Sequence, residues 1–377
     1  MTRLAKLPRA EAMRTVSPLL GPALLVIALV VLSTFTSGST QRAVTNGLIS
    51  LVIVIGLYMF VGTSGVLSFG HIGFAAIGAY TSALLTIPLA VKGALLPDLP
   101  GFLANASMDG TSAALIAGLV AAIVALFLGM AVMRLNEISI PIALLSFLVI
   151  VNVVASNWEE LTRGTGSMIG IPRTTGLGSA LAWVLVALVA AFLFQQSRTG
   201  LKLRGAREDE PAARAAGINI WRERVIAFTA SAFFVAIGGN LIAHQLGSIA
   251  PVAFYLDLTF TTLAMLIIGG KNCLAGAVVG TFVVTALAEI LRHAERGIEV
   301  SGIGFGATPG LRQVGVALVM LACLAFRPAG ITGGREFVFP PRRRPKRLAR
   351  ESGTGEVDRP ASGSSLISAA SPPNQQQ

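Results

Sequence analysis

The side chains that could carry catalytic or cofactor chemistry are few and scattered. The three histidines are His71, His244 and His293, and no two have the close helical spacing that presents paired imidazoles to a metal. The two cysteines, Cys273 and Cys323, sit in apolar runs and read as packing residues rather than as a disulfide or metal framework. Lys271 follows a Gly-Gly pair, but Asn272 stands where a phosphate loop needs Ser or Thr, so no P-loop for ATP exists here. Gly164 and Gly166 form a GxG that follows no strand and opens no βαβ unit, which excludes the dinucleotide reading. An embedded enzyme would need a convergent nucleophile, base or metal set. The sequence assembles none.

Two polar stretches remain. Residues 197–224 read SRTGLKLRGAREDEPAARAAGINIWRER between two apolar runs. Glu208, Asp209 and Glu210 suit the positive end of a short helix, and Pro211 is tolerated in its first turn. Ala212, Ala213, Ala215 and Ala216 propagate that helix, and Gly217 can end it in a left-handed cap. A small-faced helix of this kind has a shape for docking into a groove on another protein. A solvated loop that happens to be helical is the competing reading. Residues 62–80 read GTSGVLSFGHIGFAAIGAY. Ser64, Gly65, Ser68, Gly70 and His71 mix backbone-loosening glycines with polar groups inside an otherwise apolar region. Irregular backbone at membrane depth is tolerated only where protein or water covers it. The stretch is therefore either a tight, small-residue helix contact or part of a translocation path.

The elements that must position these stretches follow from composition. Hydrophobic residues make up 54% of the 377 and charged residues 12%, against about 25% charged in soluble domains; the mean hydropathy is +0.74. Charge is absent from recurrent runs of about 20 residues, the length that crosses a bilayer as helix. The runs are continuous rather than alternating, which rules out barrel strands. The fold class is an all-α integral membrane protein with about ten transmembrane helices interrupted by glycine-rich segments. Nine of the runs begin near residues 19, 44, 113, 138, 181, 225, 258, 273 and 314, and the other, third in order, leaves the 62–80 stretch and runs on to about Val91. Glu289, near the end of the ninth, reads as interfacial.

The net charge of +11 lies beside the spans and in the tails, where positive-inside orientation explains it without nucleic acid. Residues 1–17 are a basic cytoplasmic leader, 18–331 the membrane domain, and 332–377 a basic, then disordered, cytoplasmic tail. Its PPRRRPKRLAR cluster suits contact with anionic membrane lipid. Ten spans put both termini and the 197–224 segment in the cytoplasm, and leave Arg292, His293 and Arg296 on the other side. The near absence of charge within the spans suits an apolar or zwitterionic solute.

Four segments appear in the order of a known family: SFGHIGFAAIGAY, NW..LT.G.G...GIP from Asn157, SRTG.....RE.E.AA.A.GIN from Ser197, and FRPAGI from Phe326. Over roughly residues 44–331 the chain resembles the LivM-type permease subunit of branched-chain amino acid ABC importers. Lys271-Asn272-Cys273 and Ala277 depart from that pattern. The resemblance implies a permease that hydrolyses nothing itself and carries no cofactor. ATP and Mg would belong to two cytoplasmic ABC ATPase subunits. The other implied partners are a LivH-like second permease and an extracytoplasmic solute-binding protein, in a bacterial inner membrane. It implies ATPase coupling through Glu208, Glu210, Ala212, Ala213, Ala216 and Gly217. Ser64, Gly65, Ser68, Gly70 and His71 are then the candidates for the translocation path. Urea, short amides, a sugar or a nucleoside are alternative solutes for the same machine, and a secondary transporter working alone is the alternative of a different class.

Overall fold

The computed structural model describes residues 9–97, 99–295, 299–300, 303–304, 310–327 and 329–333. Asp98, Arg296, the leader's Arg3 and Lys6, and the PPRRRPKRLAR cluster lie outside them. The chain runs α1 (Arg9–Thr34), α2 (Gly38–Ser64), α3 (His71–Thr86), α4 (Leu89–Leu95), α5 (Gly101–Ala104), α6 (Gly110–Val132), α7 (Ser139–Asn157) and α8 (Glu159–Thr162). It continues α9 (Leu177–Gln196), α10 (Arg198–Glu208), α11 (Glu210–Ala215), α12 (Ile220–Leu246), α13 (Leu256–Gly269), α14 (Leu274–Glu295) and α15 (Leu311–Phe326). Two short antiparallel pairs complete it: β1 (Met168–Ile169) with β2 (Ser248–Ile249), and β3 (Glu299–Val300) with β4 (Ile303–Gly304).

Each of the ten apolar runs is helical, but they are not equal. Among the described residues, eight helices are long and apolar enough to cross a membrane. The third run breaks, because α3 and α4 meet at 117°. Pro88 explains the corner: it removes a helical donor and pushes Ile87 out of helical geometry, and Ile87 has φ −58° and ψ 130°. The tenth, α15, has only 16 residues. The sequence alone carries the third span on to Val91; the corner ends it at Thr86.

Burial follows from what each helix faces. α3 is almost wholly buried, α2 and α12 are the most enclosed of the longer helices, and α12 packs against α2, α3 and α6. Leu119 and Phe127 on α6, Ile142 and Val153 on α7, and Leu193 on α9 are exposed, as large aliphatics are when the surrounding solvent is lipid. Lipid tails provide no hydrophobic drive between helices, so small residues that let backbones meet do that work. At Gly239 on α12, a Cβ would stand 1.9 Å from the carbonyl oxygen of Ala75 on α3. Buried hydroxyls bond within their own helices, as Thr63 does to the Met59 carbonyl at 2.6 Å and Thr281 to that of Ala277 at 2.8 Å. No backbone partner from water is then required.

Candidate functional site

The 197–224 segment folds as two short helices and a cap. Ser197 caps α10, its hydroxyl accepting from the Gly200 amide at 3.1 Å, and Asp209 caps α11, accepting from the Ala212 amide at 2.9 Å. Pro211 sits in the first turn of α11. Gly217 takes φ +78°, and the Ile218 amide returns to the Ala213 carbonyl at 3.1 Å, which is how a left-handed glycine terminates a helix. Ala206, Ala213 and Ile220 close a small apolar core with Ile218 against it. Ala213 is thus buried in the segment's own core. Ala212, Ala215, Ala216 and Gly217 face solvent.

Salt bridges fix this unit to the bundle. Arg224 of α12 is buried between Glu210, at 3.1 Å, and Glu137 in the α6–α7 turn. Arg214 pairs with Glu210 at 2.6 Å. Burial pushes the Glu210 carboxyl up, but the hydrogen bond from Arg214 and the charge of Arg224 outweigh it and hold the group below the usual carboxylate range. Lys202 pairs with Glu223 at 2.7 Å. Trp221 donates to the Met130 carbonyl at 3.2 Å, with the Arg134 guanidinium 5.3 Å from its ring centre. Glu208 is exposed and forms an ion pair with its neighbour Arg207 at 2.9 Å.

Arg207 makes the contact that joins this unit to the rest of the site. From α10 its guanidinium donates to the Gly62 carbonyl at 2.6 Å and to the Asn272 side-chain oxygen at 3.3 Å. Gly62 lies in the last turn of α2, and Asn272 in the turn between α13 and α14. Gly65 follows at φ +80° as the left-handed cap of α2, and a Cβ there would stand 2.6 Å from Arg207 Cγ. The residue must be glycine for both reasons. The α13–α14 turn is clamped from the other side as well, since Thr332 donates to the Gly269 carbonyl at 2.8 Å.

The interruption expected in residues 62–80 lies between Ser64 and His71, where α2 ends and α3 begins. Ser64, Ser68, Gly70 and His71 are buried and Gly65 is half-buried. Ser64 donates to the Phe60 carbonyl at 2.7 Å, and Ser68 Oγ lies 2.5 Å from His71 Nδ1. The imidazole is boxed by Phe60, Phe74 and Phe228, with ring centres 5.3 to 6.1 Å away. Its Nε2 is buried without a hydrogen-bond partner. Gly70 presses on α7, where a Cβ would stand 2.4 Å from the Leu144 carbonyl oxygen. In this arrangement the five residues pack shut rather than line an opening. His244 is a packing residue, bonded to Thr86 Oγ1 at 3.1 Å and to the Asn240 carbonyl at 2.9 Å.

Sequence reasoning brought out the segment and the interruption but not Arg207, Asn272, Glu137 or Arg224, which join them. Arg207 and Arg224 stood out only as basic residues beside a span. Their partners lie far away in the chain, and no local pattern marks them.

The family described as the permease component of branched-chain amino acid transport systems matches residues 39–323. The chain is 29% identical to the high-affinity branched-chain amino acid transport system permease protein LivM of Escherichia coli K12, over 71% of this chain and 68% of that protein. The probable branched-chain amino acid transport permease protein LivM of Methanocaldococcus jannaschii is 22% identical, over 77% of this chain and 92% of its own length. A shorter similarity, 30% over 28% of each chain, links it to the xylose transport system permease protein XylH of E. coli K12.

Proposed function

Because this chain belongs to the permease components of branched-chain amino acid transport systems, we propose that it carries branched-chain amino acids or related small solutes inward by alternating access. It is a multi-pass membrane permease of the ABC importer class and not an enzyme, with ATP hydrolysis in separate subunits. In our reading those are two cytoplasmic ATPases binding ATP and Mg, joined by a LivH-like second permease and an extracytoplasmic solute-binding protein. The membrane is the bacterial inner membrane and both termini are cytoplasmic. The 197–224 segment then faces the ATPases.

The exposed Glu208, Ala212, Ala216 and Gly217 are the docking surface, while Glu210 and Ala213 hold its shape from within. The observation that carries the proposal is Arg207, which bonds to Gly62 at the end of α2 and to Asn272 in the α13–α14 turn. A displacement of α10 by closing ATPases is thereby delivered to two breaks in the bundle. Ser64, Gly65, Ser68, Gly70 and His71 form the gate at that end of the path, closed here. The unpartnered His71 Nε2 costs about 1–3 kcal/mol while the gate is shut. Water entering on opening would satisfy it, so the two states stay close in energy.

ATP-driven uptake by proteoliposomes holding this chain with its partner subunits and binding protein tests the reading. Leucine, isoleucine or valine should accumulate in an ATP-dependent manner, and leaving this chain out should abolish it. Xylose or urea accumulating in their place would reassign the solute, and uptake independent of ATPase subunits would overturn the coupling.

A further inference from the structure

A cavity of about 330 Å³ opens among α2, α12, α13 and α14, at the end of the bundle away from the 197–224 segment. Its size lies in the range of about 300–1,000 Å³ typical of small-molecule sites. Each of the four helices brings a polar group to it: Asn46 from α2, Gln245 from α12, Asp257 from α13, and Glu289 with Arg292 from α14. On α14 the polarity is periodic, since Thr281, Thr285, Glu289 and His293 recur every fourth residue and share one face. Such a stripe in a membrane helix is costly unless it meets water or polar partners.

Several of these groups are paired with one another, and two polar atoms beside them are not. Arg292 pairs with Glu289, whose oxygen also lies 3.4 Å from His293 Nε2. Gln245 donates to Asn46 Oδ1 at 2.6 Å, tying α12 to α2. Arg292 Nε and Thr285 Oγ1, both of cavity-lining residues, are buried without a hydrogen-bond partner among the described residues. Ile242, Leu258 and Met265 provide an apolar wall to the same space. Both signs of charge beside an apolar wall match a zwitterion with an aliphatic side chain. A guanidinium grips a carboxylate through paired N–H donors, and carboxylates hold an ammonium.

We propose that this cavity is a solute-binding station on the permease itself, taking an α-amino acid with its carboxylate at Arg292 and its ammonium at Asp257 and Glu289. The assignment rests on the import reading above and adds to it a site within the spans. An uncharged solute such as urea would engage only the amide pair.

The test uses the complete importer in proteoliposomes with labelled leucine. Arg292→Gln and Asp257→Asn should each lower uptake at sub-saturating leucine by about 10-fold or more, the weight of one charge-assisted contact. Assembly, read by co-purification of the subunits, should be unchanged. Arg292→Gln leaves Glu289 with only His293 beside it, so the Arg292→Gln/Glu289→Gln double variant separates loss of binding from loss of packing; it should transport as poorly as the single variant. In a Cys323→Ser background, Thr261→Cys should react with a membrane-impermeant thiol reagent, and leucine should slow that reaction. Wild-type uptake in every variant, with no protection of the introduced thiol, overturns the site and leaves the import reading standing. No ATP-driven leucine uptake by the unsubstituted importer contradicts both.

Discussion

Leucine in place of Gly239 should leave little or no folded protein. The α3–α12 crossing brings two backbones together with no room for a side chain, since even a Cβ at 239 would lie 1.9 Å from the Ala75 carbonyl oxygen. Gly78 makes the reciprocal contact, its Cβ position 2.3 Å from the Ala236 carbonyl oxygen. Backbone atoms cannot swing aside as a side-chain tip can, so the helices must separate. Overpacking a core with extra methylenes typically costs about 1–3 kcal/mol, sometimes more, and here both neighbours are rigid. Gly205→Ala is the matched control: it stands in α10 with nothing within 4 Å of its Cβ position, and alanine gains about 1 kcal/mol over glycine inside a helix. Size-exclusion profiles of the two variants in detergent should differ sharply. A monodisperse Gly239→Leu protein at wild-type yield would contradict the crossing.

Arg207→Ala should uncouple transport from ATP hydrolysis without dismantling the importer. The substitution deletes the donors to the Gly62 carbonyl and the Asn272 side chain, while the Asp209 and Ser197 caps and the Arg224 pairs stay in place. A hydrogen bond to a charged group contributes about 1.5–3 kcal/mol, and about 1.4 kcal/mol is tenfold in an equilibrium. Leucine carried per ATP hydrolysed should therefore fall by roughly 10-fold or more. Arg207→Lys should restore part of it, because an ammonium supplies the charge but not the fork that reaches two acceptors. Unchanged stoichiometry in Arg207→Ala would show that force reaches the bundle by another route.

The amount of structure legible in the sequence differs by element, for physical reasons. Lipid requires every backbone group to be satisfied inside the segment, so a long apolar run already means a helix, and each such run became one. Pro88 marks the corner after α3 in the sequence, but hydropathy stays high beyond it and masks the break. The α11 helix was readable from its acids, Pro211 and Gly217, since caps are local chemistry. The inward turn of Ala213 was not, because it depends on Ile218 and Ile220 folding back over it. Arg207 reaches an acceptor 145 residues away, a distance no local pattern encodes. The stripe on α14 was legible in its spacing. Glu289 reads as interfacial from sequence, and the structure adds that it shares a cavity with Asn46, Gln245 and Asp257, which no local pattern marks.

The central claim is that the 197–224 segment transmits ATPase motion through its exposed face. Ala212→Arg and Ala216→Arg place bulk on that face, where both residues are exposed. Neither disturbs the Ala206–Ala213–Ile220 core. The most direct measurement is the ATPase activity of the reconstituted importer, stimulated by loaded binding protein, with each variant beside the native chain. The account predicts normal membrane insertion and loss of ATPase association or of its stimulation. Native association and stimulation in both variants would contradict it and return the segment to a solvated connection between α9 and α12.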